Sequence, residues 1–138
     1  MNTTLPPDYS PSDDEEFMNP MQQEYFRQKL HRWRDELLSE ANETLLNLQA
    51  GGSQEADIAD RASVETDRSI ELRTRDRARK LISKIDEALM RIEAGTYGYC
   101  EETQEPIGLR RLEARPIATL SIEAQERHER LEKTHRDE

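Results

Sequence analysis

Hydrophobic positions recur at helical spacing in two long stretches of the chain. In the first, Phe26, Leu30, Trp33, Leu37, Ala41, Leu45 and Leu48 follow one another at steps of three and four. Asn19-Pro20 opens this stretch, with Asn19 as N-cap and Pro20 at the first helical position. Gly51-Gly52-Ser53 stops it, so the spacing predicts a helix from Pro20 to about Gln49. Gln54 to Ala59 is small and acidic, and a second helix is expected from near Asp60 to Glu93, with Gly95 ending it. Its C-terminal half is sharply periodic, through Ala78, Leu81, Ile82, Ile85, Leu89 and Ile92, while in its polar first half only Val64, Ile70 and Leu72 are larger aliphatics. Two helices of about 30 residues or more, joined by a short loop, must fold back antiparallel. At ~1.5 Å per residue each arm is roughly 45–50 Å long. The apolar seam is dense at one end and thin near the Gly-Gly turn, which describes a finger with a polar tip.

Residues 96–120 break this pattern with two glycines, two prolines and short apolar runs, and are expected to form a small compact module. Residues 121–136 are expected to be a final helix, with Ile122 and Leu131 on an otherwise charged surface. Residues 1–16 hold Pro6, Pro7 and Pro11 together with Asp8, Asp13, Asp14, Glu15 and Glu16 and no Lys or Arg, which suits a flexible acidic arm. The expected fold is therefore mainly α. It divides into an arm (1–16), a long antiparallel coiled-coil hairpin (17–95, tip near 51–60), and a globular module with a C-terminal helix (96–138).

Composition agrees with paired helices. Only 33% of the 138 residues are hydrophobic and 36% are charged, too little apolar material for a thick core. The net charge of −10 opposes direct binding to free DNA, where phosphate neutralisation supplies most of the affinity. A single cysteine, Cys100, excludes a disulfide framework within the chain. With no 18-residue apolar run and no basic-then-apolar leader, a cytoplasmic location is the simplest reading. No Gly-rich phosphate loop or nucleophile motif is present.

Two clusters carry candidate chemistry. Arg73, Arg77, Lys80 and Lys84 fall at steps of four, three and four on one helical face, and Arg75 and Arg79 add a second row. Cations grouped this way suit phosphate or an acidic protein surface, or else pair with glutamates of the first helix. Near the turn, Asp57 and Asp60 are exposed carboxylates, of which Asp60 is also placed to cap the second helix.

The segments DIADRAS (57–63), ELRTRDRARKLISKI (71–85), GTYGYC (95–100) and IGLRRLEARP (107–116) resemble the DksA family, and the likeness runs from about Met18 to His128. The resemblance implies a regulator that binds RNA polymerase and inserts its finger into the secondary channel. Together with the alarmone ppGpp it changes open-complex stability in the stringent response, without being an enzyme. It implies a tip acting through Asp57, Asp60 and Ala62 in a DxxDxA arrangement. It further implies an alarmone site at the polymerase interface using Leu81, Lys84 and Arg115, with Arg77 important to polymerase binding. A further family lysine falls at Gln125, which weakens the expected alarmone response. The chain is expected to be monomeric, with no membrane and no sequence-specific DNA contact. Alternatives are a transcript-cleavage stimulator in the same channel and a generic coiled-coil adaptor.

The family module holds zinc with four cysteines, whose positions here are Cys100, Thr103, Ser121 and Ala124. Structural zinc takes four N or S ligands, so no bound metal is expected and the module reads as a degenerate zinc finger. Its apolar residues Tyr97, Tyr99, Ile107, Leu109, Leu112, Ile117 and Leu120 are then candidates for a core, with Cys100 a small buried member. A makeshift site from Cys100 and His128 is the alternative.

Overall fold

The computed structural model describes residues 3–51 and 58–137, the side chains of 44, 47–51, 58–62 and 135–137 excepted. The elements run α1 (Pro20–Gly51), α2 (Ile58–Ala94), α3 (Leu109–Ala114) and α4 (Ile122–Asp137). The fold is mainly α: α1 and α2 pack as a hairpin, and the shorter helices follow. Among the described residues the only β-type pairing is an isolated antiparallel bridge between Tyr99 and Pro106.

Local sequence sets the helix ends. Asn19 Oδ1 accepts from the Gln22 amide at 2.9 Å, and Pro20 occupies the first turn, where its missing N–H costs nothing. At the C-terminal end of α2, Gly95 takes φ +78. Its amide donates to Ile92 O (3.2 Å) and the Thr96 amide to Arg91 O (2.9 Å), the double closure of a Schellman motif. Helix α4 is capped by Ser121, whose Oγ accepts from the Ala124 amide at 3.2 Å.

The chain divides into two compact units. One comprises Met1–Leu30 with Glu87–Glu138. Phe26, Leu30, Leu112 and Ala124 are fully buried in it, alongside Tyr97, Ile107, Leu109, Ile117 and Ile92. Five of the seven residues expected in the module core are thus buried, whereas Tyr99 is exposed and Leu120 half-buried. The Tyr97 ring meets Phe26 at 5.7 Å, and its hydroxyl donates to Pro116 O at 2.8 Å. Burial pushes the Tyr97 phenol well above its ordinary range.

Residues 3–19 of this unit, the acidic stretch of the sequence, form successive turns closed by Tyr9 N to Pro6 O, Glu15 N to Ser12 O and Asn19 N to Glu16 O. Gln22 organises them. Its side chain is fully buried, accepts from the Met18 amide at 2.8 Å and donates to Ser12 O at 3.3 Å. The Ser12 amide, followed by the Tyr9 hydroxyl and Gln22, holds the Glu15 carboxyl below its usual range. Met18 adopts φ +54, and its Cγ lies 3.1 Å from where a Cβ on Gly98 would stand. Gly98, itself at φ +92, is therefore favoured by the backbone, and a Cβ there would press on the Met18 and Phe17 side chains.

The second unit is His31–Asp86. Leu37, Ala78 and Ile85 are buried in it, while Leu38, Leu46, Val64, Ile70 and Leu72 are exposed. One ion pair joins its two helices among the described residues, Arg34 Nε to Asp86 Oδ1 at 2.8 Å.

Candidate functional site

Three groups of residues were singled out from sequence. Of the tip set, Asp57 lies outside the described residues. Asp60 and Ala62 fall in the first turns of α2, but their side chains lie outside the described residues as well.

The cationic face is well described. Arg73, Arg77, Lys80 and Lys84 are all exposed on α2, with Leu81 half-buried beside them. Arg77, Leu81 and Lys84 fall at steps of four and three, within two turns of one helix. None of the four cations makes an ion pair among the described residues, whereas Arg27, Lys29 and Arg34 of α1 all do. The stripe is thus a run of four exposed cations without an ion-pair partner among the described residues, in a chain whose net charge is −10. Arg115 belongs to the other unit, where it follows α3 as its C-cap and its amide donates to Arg111 O at 2.7 Å. Its side chain is exposed. Gln125, at the position of a family lysine, donates from Nε2 to Glu129 Oε1 at 3.3 Å.

The four zinc positions converge. Cys100 and Thr103 sit in a tight turn, closed by the Cys100 amide to Glu105 O (2.8 Å) and the Gln104 amide to Cys100 O (2.9 Å). Ser121 and Ala124 form the first turn of α4, and Ala124 is fully buried. The Cys100 sulfur, 1% exposed, accepts from the Ser121 amide, the Thr103 hydroxyl and amide, and the Glu102 amide. Burial raises the thiol, but these donors together outweigh it and pull it down to about 6.

The donor set does not fit zinc. A tetrahedral structural site needs four thiolate or imidazole ligands. Here one thiol faces a hydroxyl that caps a helix, a threonine that donates to the sulfur, and a methyl group. Among the described residues no three His, Cys, Asp or Glu side chains are grouped to hold a metal. His128 pairs with Glu102 instead, through Nε2 to Oε1, and Arg127 approaches the same carboxylate at 3.7 Å.

Sequence reading missed Gln22. It precedes Phe26 by four and Leu30 by eight, so it stands on the apolar stripe, and a polar side chain there signals a buried hydrogen-bonded role.

Comparison with known proteins agrees with this architecture. Residues 22–92 match the family of the DnaK suppressor protein DksA, N-terminal domain, and residues 95–130 match the prokaryotic dksA/traR C4-type zinc finger. The RNA polymerase-binding transcription factor DksA of Caulobacter vibrioides is 67% identical over 131 residues, covering 95% of this chain and 92% of that protein. Its Escherichia coli K12 namesake is 44% identical over 115 residues, covering 83% of this chain and 76% of that protein. Transcription factor DksA2 from Pseudomonas aeruginosa has a structure similar to this one, with a TM-score of 0.80 at 46% identity over 85% of this chain and 90% of that one. The match to the N-terminal domain spans the hairpin, the zinc-finger match continues through the module whose ligand positions are substituted, and the chain therefore belongs to the DksA family.

Proposed function

We propose that this chain is a non-enzymatic transcription regulator that binds RNA polymerase, entering the secondary channel with the hairpin. The observation that carries this is the extent of the likeness: a protein named for RNA polymerase binding shares 67% of its residues over 95% of this chain. The α2 cations Arg73, Arg77, Lys80 and Lys84, unpaired among the described residues, support it, since an acidic regulator needs a local positive face to meet an acidic protein or phosphate surface.

On this reading Asp57, Asp60 and Ala62 act near the polymerase active site and alter open-complex stability. Arg77 contributes to polymerase binding, and Leu81, Lys84 and Arg115 hold ppGpp at the interface. Gln125 lacks the charge of the family lysine, so the alarmone response is weakened. The working molecule is a cytoplasmic monomer with an arm at 1–16, a hairpin at 17–95 and a module with its helix at 96–138. It makes no sequence-specific DNA contact. Among the described residues no helix is long and apolar enough to cross a membrane. The module is a zinc-free variant of the family finger, held by its apolar core and by the hydrogen bonds to Cys100.

The test is in-vitro transcription from a ribosomal RNA promoter with purified polymerase, with and without ppGpp, comparing the chain with Asp60→Asn. Inhibition that ppGpp enhances and the substitution removes is the expected result. Absence of both inhibition and polymerase binding would reject the reading, and tip-dependent shortening of transcripts would replace it with a cleavage-stimulating role.

A further inference from the structure

Residues 3–19 meet the rest of their unit on two sides. Toward α1 they are anchored by hydrogen bonds. The Met18 amide donates to Gln22 Oε1 at 2.8 Å, and Gln23 Nε2 donates to Met18 O at 2.7 Å, so both backbone groups of Met18 are held by the helix that follows it. Gln22 also reaches back to Ser12 O at 3.3 Å. Toward the module the contacts are apolar. Met18 Sδ and Phe17 Cζ each lie 3.3 Å from where a Cβ on Gly98 would stand, and the Phe17 ring meets Tyr99 edge-on at 5.5 Å. Beside them is a cavity of about 60 Å³, walled by Met18, Gln23, Ile92, Gly95, Tyr97 and Tyr99.

Two features oppose this closed arrangement. Met18 sits at φ +54, a conformation that a side chain other than glycine adopts at a cost and keeps only while its surroundings hold it. Charge is the second. Residues 1–16 carry five carboxylates and no cationic side chain, and the unit as a whole holds eighteen Asp and Glu against ten Lys and Arg. None of those five carboxylates is in an ion pair among the described residues, and Asp8, Asp13, Asp14 and Glu16 are exposed. The arm is therefore repelled by the unit it packs against.

We propose that residues 3–19 are a two-state strap. Closed, as here, it fastens the module to the start of α1, with the Met18 side chain as its buckle. Open, it relaxes the Met18 backbone, separates the carboxylates and bares Ile92, Tyr97 and Tyr99. A module whose ligand positions do not fit zinc lacks the metal's contribution to folding, and the strap offsets part of that loss. Apolar contacts and hydrogen bonds close the strap while charge opposes it, so added salt tightens it. A latch made of ion pairs would loosen instead.

The experiment is native-state amide hydrogen exchange on the full-length chain at low and at high sodium chloride. The strap is read at the Glu15, Met18 and Asn19 amides and the module at the Cys100, Gln104 and Ile107 amides, all hydrogen-bonded in the closed state. The strap amides are expected to exchange as a group about tenfold faster than the module amides, and to slow about threefold relative to them in high salt. Met18→Gly leaves the backbone free to take the same φ and removes only the side chain. It is expected to speed exchange about tenfold in the strap and about threefold in the module, whereas Met18→Leu stays within about twofold of the unaltered chain. Strap and module amides that exchange as one set overturn the separate strap. Strap exchange that quickens in salt overturns the apolar closure in favour of ion pairing, and exchange unchanged in Met18→Gly overturns Met18 as the buckle. Should Met18→Gly fail to fold, the grouping of amides in the unaltered chain and its salt response decide alone.

Discussion

In the unit formed by Met1–Leu30 and Glu87–Glu138, fully buried side chains include Phe26, Leu30, Leu112, Gln22 and Cys100, and hydrogen bonds tie turns to helices. In the unit from His31 to Asp86, the buried hydrophobics among the described residues are Leu37, Ala78 and Ile85, and five larger aliphatics lie exposed. Both units are built on the same two helices. Among the described residues the first buries thirteen hydrophobic side chains and still exposes Met90, Tyr99, Ile122 and Leu131, whereas the second buries three and exposes five. A helix pair with a thin seam derives little of its stability from packing, so its outward residues are free to be selected for contact with something else.

The contrast can be broken by substitution. Phe26→Ala removes a fully buried ring and is expected to cost about 3–5 kcal/mol in urea or thermal unfolding, whereas Leu46→Ala, at a position 62% exposed, should change stability by less than about 0.5 kcal/mol. Similar losses at the two positions would show that the units do not differ as described. Gln22→Ala leaves the Met18 amide without its buried acceptor and should cost about 1–3 kcal/mol, read by the same unfolding curves. A neutral result would mean that the turns of residues 3–19 contribute nothing to the unit they pack in.

The module sharpens the comparison through pH. The Cys100 thiol titrates at about 6 in the folded chain, against an ordinary value of 9.0. Its lowered folded value means that the thiolate's contribution is fully present above about pH 9 and is lost as pH falls through about 6. The urea midpoint should therefore rise across that window, should flatten in Cys100→Ser, and should not respond to EDTA. A midpoint that falls in EDTA would contradict the zinc-free module.

Much of the fold was legible because its signals are local. Asn19-Pro20 and Gly95 announce helix ends through backbone chemistry that needs no distant partner, and the ends fall at Pro20 and Ala94. The common face of Arg77, Leu81 and Lys84 follows from helical arithmetic alone. Helix α3 was not foreseen, since six residues between Gly108 and Pro116 are too few to show a period. The exposure of Tyr99 was also hidden. Its ring stands edge-on to Phe17 at 5.5 Å, a contact that depends on how residues 3–19 turn. Whether the α2 cations are paired depends on the rotational offset between two helices, which sequence does not print. The tip aspartates were legible only through resemblance, because two carboxylates near a turn are equally a helix cap and a solvated loop.

Ser121 carries one further consequence, for how this chain can change over generations. Its hydroxyl caps α4 and its amide reaches the Cys100 sulfur. Cysteine returned at this position alone would forfeit a cap worth about 1 kcal/mol and would still find only one other thiol to share an ion with. A single step back toward a four-cysteine module at this position is thus a loss, with too few thiols there to offset it. A former ligand position, once recruited to capping a helix, resists its own reversal: the replacement at Ser121 has taken on other work.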